Sequence, residues 1–106
     1  MTTTAPENLG TAYRGTTVAG VVSTITLDAN YAYVLVSNWD AADEMFVGVD
    51  GVVPADATAG VFPAGVVPIP KAICERSINS TGGSATVVKI LTPTNATKFV
   101  VIGVKG

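Results

Sequence analysis

Histidine is absent from the sequence, cysteine occurs once, and only 13% of the residues are charged. Without His, and with Cys74 standing alone, the usual zinc and transition-metal ligand sets are missing, and a serine or cysteine nucleophile lacks its common base. A single Cys also excludes an internal disulfide; within the apolar run "AIC" it is expected to be a small core residue. Six cations (Arg14, Lys71, Arg76, Lys89, Lys98 and Lys105) are scattered against eight acids, for a net charge of −2. No block of positive charge lies ready to neutralise a row of phosphates, so nucleic acid is not an expected partner. No apolar stretch approaches the ~20 residues that span a bilayer. The first residues, "MTTTAPENLG", lack the basic region and apolar run of a secretory signal. The expectation is a chain made in a cytoplasm, with no membrane and no cofactor.

Good helix formers are also thin, and no stretch shows helical periodicity. What is present is Val, Thr, Ile, Tyr and Phe in short runs, punctuated every eight to twelve residues by Gly, Pro, Asn and Asp. That is the pattern of a small all-β domain. At 106 residues the chain fits one domain with one core. Expected strands cover 16–27, 31–37, 44–50, 52–53, 66–69, 72–79, 84–91 and 98–104. Sequential antiparallel pairing is the simplest arrangement, giving a single antiparallel β-sandwich or flattened barrel over 13–106.

The connections have local causes. "VDGV" puts Asp50 and Gly51 where a two-residue type I′ turn needs positive φ. "DAN" at 28–30, "STGG" at 80–83 and "TPTN" at 92–95 are turn clusters. In "VVPIP", Pro68 and Pro70 delete backbone donors on one side of an extended segment, which makes it a sheet edge. The intervening "PADATAGVFPAG" reads as a surface or contact loop whose one large anchor is Phe62. Residues 1–12, polar and without alternation, form either a disordered tail or an extended N-terminal arm that orders on a partner.

A strand with one wet face alternates, yet "YAYVLV" and "FVVIGV" are apolar at odd and even positions alike. A two-layer sandwich buries one face of each sheet. The far face then needs a small third layer or another subunit. Five such side chains, at roughly 1.5 kcal/mol or more each, would contribute several kcal/mol to association before its entropic cost. With charged residues at 13% against a usual share of about 25%, part of the exterior is expected to be covered by protein.

Chemistry is sparse. Asp40, Asp43, Glu44, Asp50 and Asp56 cluster around "NWDAADE" without the spacing of an EF-hand, and read as a solvated acidic loop. "TGGS" precedes no helix, so it is a turn and not a phosphate cradle. Trp39, the single tryptophan, is a loop anchor, a sugar-stacking platform or a plug for a partner's pocket. No catalytic constellation emerges, and an enzyme is not expected.

The order "YVLVSN", "FVGVDG", a Pro-rich loop, "VVKIL" and "KFVVIGV" resembles that of small β-sandwich virion proteins of tailed bacteriophages, over roughly residues 30–104. In size the chain is most similar to capsid decoration, or cement, proteins. The resemblance implies a structural role on the outer surface of the phage head after synthesis in the host cytoplasm. It also implies the phage major capsid protein as partner and a homo-oligomer, a trimer being favoured. It implies too that a terminal arm grips the shell. Thr2, Thr3, Thr4, Pro6 and Leu9 of the arm, Trp39, and Phe62 with Pro63 in the loop are the candidate partner contacts. A tail, connector or fibre component and a receptor- or glycan-binding module are the alternatives.

Overall fold

The computed structural model describes residues 12–54, 65–71, 74–80 and 84–104. Eight strands follow one another: β1 (Ala12–Thr16), β2 (Ser23–Thr26), β3 (Tyr33–Asn38), β4 (Met45–Val49), β5 (Val67–Ile69), β6 (Glu75–Asn79), β7 (Val87–Leu91) and β8 (Lys98–Val104). They form two antiparallel sheets, ordered β1-β8-β3-β6 and β2-β7-β4-β5. The all-β reading and the sandwich therefore hold.

Sequential pairing holds only for β4 and β5. β1 pairs with β8, β2 with β7, β3 with β6 and β4 with β5, and the sheets are completed by β3 with β8 and β4 with β7. This is a long antiparallel ribbon folded at its middle, between β4 and β5, and wrapped so that every remaining pair of successive strands changes sheet, the connectivity of a jelly roll. Turn residues between neighbouring strands mark where the chain reverses. They do not say whether it returns beside the strand it left or crosses to the other sheet, which is why "DAN" and "TPTN" give no hint of the crossovers.

Period-2 alternation places the core. Val34, Val36, Phe99 and Val101 of one sheet meet Ile25, Val47, Val88 and Ile90 of the other, and all eight are at most 1% exposed. Tyr13 and Tyr31 close the end of this core, and their hydroxyls both donate to Asp28 Oδ1, at 2.9 and 2.5 Å. Removing from water the whole of a Val, Ile or Phe side chain contributes about 1.5–3 kcal/mol, so these inward rows dominate the stability of the domain.

Several expectations need correction. The single strand expected over 16–27 is two strands in different sheets. Thr16 ends β1, the chain turns through Gly20 at φ 74°, and β2 starts at Ser23. Strand β1 itself begins at Ala12, one residue inside the expected arm. Val52 and Val53 form no strand, although Asp50 (φ 52°) and Gly51 (φ 93°) both take the positive φ of the expected turn. Cys74 is exposed and not in the core. It lies at φ 69° in the turn before β6, where its Sγ donates to the Lys71 carbonyl and its own carbonyl accepts from the Asn38 N–H.

The proline edge is where it was expected. β5 is the outer strand of its sheet, with Pro68 opposite Phe46, so the missing donors cost no ladder hydrogen bond.

Candidate docking face and the Trp39 groove

Each sheet has an outer face, and the two are treated differently. On the β2-β7-β4-β5 sheet, Phe46 and Leu91 point outward and are nonetheless buried, packed with Val66, Val22 and Val52. The chain supplies its own third layer there. All five residues of β4 are buried as a result.

The β1-β8-β3-β6 sheet has no such cover among the described residues. Its register sets Leu35 beside Ile102, with Ala12 next in the row, and Tyr33 beside Val104. Tyr33, Leu35, Ile102 and Val104 are all half-buried, on the face opposite to buried Val34, Val36 and Val101. The excess apolar face expected from "YAYVLV" and "FVVIGV" is thus confined to one sheet. Polar Ser77 and Asn79 of β6 flank it.

Further along the same face the chemistry changes. The next rows hold Arg14 beside Val100, and Thr16 beside Lys98. Trp39 follows β3 and donates its backbone N–H to the Lys98 carbonyl at 2.9 Å. Its indole is 68% exposed, the largest value for a big apolar residue among those described. Arg14, Thr16, Trp39, Lys98 and Val100 line an open groove of about 700 Å³.

The backbone beneath Trp39 is held from several sides. Asn38, 1% exposed, donates its side-chain amide to the carbonyls of Asp43 and Ile69. Asp40 Oδ1 accepts from the N–H groups of Ala42 and Lys98. Asp43, 7% exposed, accepts from Glu44 N at 2.8 Å, Thr94 N at 2.7 Å and Asn95 N at 2.9 Å. Burial pushes the Asp43 carboxyl up, but these three N–H groups and the charge of Lys71 outweigh it and hold the group below its ordinary value. Thr17, Thr92 and Thr97 knit the neighbouring connections: the hydroxyls of Thr17 and Thr92 meet at 2.5 Å, and Thr97 N–H donates to Thr17 Oγ1.

The solvated acidic loop holds for Asp40 and Glu44, which are exposed, and fails for Asp43. Asp43 is a buried structural carboxylate, and Asp50 serves the opposite end of the sandwich, where it accepts from Ser80 and from Val87 N. Glu44 accepts from Lys71 N. Asp56 lies outside the described residues, and among the described ones no group of three acids, His or Cys is placed to hold a metal. No helix there is long and apolar enough to cross a membrane.

Of the candidate partner contacts, Trp39 is described and exposed, whereas Thr2, Thr3, Thr4, Pro6, Leu9, Phe62 and Pro63 lie outside the described residues. Arg14, Thr16 and Lys98 were not expected beside Trp39. Only the β1–β8 register brings them there, across more than eighty residues of sequence. No family model, no curated protein and no solved structure matches the chain.

Proposed function

We propose that the chain is a non-enzymatic structural component of a tailed-bacteriophage virion, a head-decoration protein that binds the outside of the capsid shell as a homo-oligomer, with a trimer favoured. The observation that carries this reading is the row of Tyr33, Leu35, Ile102 and Val104 on one sheet face, which no other layer covers among the described residues. An apolar centre with a polar rim is the anatomy of a protein interface. The jelly roll is a frequent architecture of viral capsid proteins, which agrees with the reading; it does not decide it, since one fold hosts many functions.

The mechanism is linkage. Each copy bound across neighbouring major capsid proteins loses its burial free energy when those subunits separate, so binding stabilises the assembled shell. The test compares particles with and without the chain during a thermal ramp, with DNA release as the readout. Decorated particles should release DNA at higher temperature, and equal release temperatures would remove the cementing role. Imaging of the labelled chain in the particle distinguishes the head from a tail or connector position.

A further inference from the structure

The exposed indole is not a loose surface residue. Its backbone is pinned to β8 through the Lys98 carbonyl, and the residue before it is buried and doubly bonded. An exposed indole on an anchored backbone offers a flat apolar face on which a ring can stack. Beside it stand Arg14 and Lys98, both exposed. Asp40, the nearest acid along the chain, accepts at Oδ1 from the Lys98 backbone N–H. In a chain with six cations in all, two flank the single Trp.

We propose that the groove binds an acidic saccharide, a pyranose carrying a carboxylate or phosphate. The groove, at about 700 Å³, lies within the ~300–1,000 Å³ usual for small-ligand sites. The flat indole face takes the C–H face of the sugar ring. Arg14 offers a planar fork to the acid group, Lys98 a second cation, and Thr16 a hydroxyl that donates or accepts. A nucleic-acid strand would need a longer track of cations than these two. The site lies on rows of the sheet next to the Leu35–Ile102 row and does not depend on the shell reading. On a particle it would tether the surface to anionic glycans.

The single tryptophan makes the experiment direct, because fluorescence excited selectively at Trp, beyond the absorption of the three tyrosines, reports on the groove. The purified full chain is titrated with a glucuronate-containing disaccharide, glucose 6-phosphate, a neutral disaccharide, a Glu-rich peptide and oligo(dT), with calorimetry in parallel. The expected result is saturable binding of the acidic sugars that weakens with salt. Arg14→Gln with Lys98→Gln should raise Kd at least tenfold, and Trp39→Ala should abolish the calorimetric signal, each with unchanged circular dichroism. Equal binding of the neutral sugar, preference for the peptide or oligonucleotide, or no binding by the folded protein would each overturn the proposal. Sedimentation of the same variants with shells separates the two readings: the Gln variants should still bind shells.

Discussion

The Tyr31 ring fills the space that a side chain at Gly103 would need. A Cβ built on Gly103 would lie 2.7 Å from Cγ and Cδ2 of that ring, well inside van der Waals contact. Gly103 is therefore what lets Tyr31 lie flat over β8 and reach Asp28 with its hydroxyl. Gly103→Ala should cost about 1–3 kcal/mol, the range for overpacking a well-filled core. Tyr31→Leu combined with Gly103→Ala should lose less than the sum of the two single changes. Urea denaturation of the four proteins in the cycle checks this, and strict additivity would show that the two positions do not compete for space.

The carboxylate of Asp43 ties the connection after β3 to the connection before β8. Because its folded pKa is depressed, its contribution is fully present above the ordinary value of 3.8 and is lost as pH falls through the lower folded value. Asp43→Asn should lose about 1.5–3 kcal/mol at neutral pH, as expected for hydrogen bonds to a charged acceptor. The gap between the two proteins should narrow below pH 4. Melting curves at pH 7 and pH 3 measure it; a gap that stays constant with pH would assign the loss to packing.

How much was legible beforehand differs from element to element. β8 was readable to the residue from "KFVVIGV", because the run of β-favouring residues after the "TPTN" turn is unbroken. The edge position of β5 followed from Pro68 and Pro70, since a missing donor is a local fact. The division of 16–27 into strands of two sheets was not legible. Thr and Val favour extended backbone on both sides of Gly20, and only the partners, Thr97 for Thr17 and Thr92 for Gly20, require the break. Cys74 was misplaced for a similar reason: composition favours burial, but the positive φ at that position puts it in a turn. Trp39 was visible as a candidate, and the cations beside it were not, because nothing in residues 28 to 44 points to Arg14.

Ala41 has φ 53°, a conformation that costs an L-residue about 1–2 kcal/mol and glycine almost nothing. Ala41→Gly should therefore stabilise the domain by roughly 0.5 kcal/mol or more, even after the greater chain entropy of glycine is subtracted. A lower urea midpoint for the variant would contradict this.

The sheet face that no other layer covers among the described residues can be made polar without disturbing the core, because its residues alternate with the buried rows. Leu35→Thr with Ile102→Thr keeps β-branched or strand-compatible side chains and should cost the isolated domain no more than about 1 kcal/mol per site. Shell binding should fall at least tenfold, equivalent to about 1.4 kcal/mol. Cosedimentation with undecorated particles gives the answer, and unchanged affinity would place the contact elsewhere on the protein.

The wrapped-ribbon pairing also governs the order in which the protein can come into existence. β8 lies between β1 and β3 as the central partner of both, yet of the eight described strands it is the last to leave a ribosome. Until then β1 has no neighbour and β3 has only β6. With partners so distant in sequence, folding falls in the slow, millisecond-to-second class of non-local β topologies, and this sheet completes only after β8 has been translated.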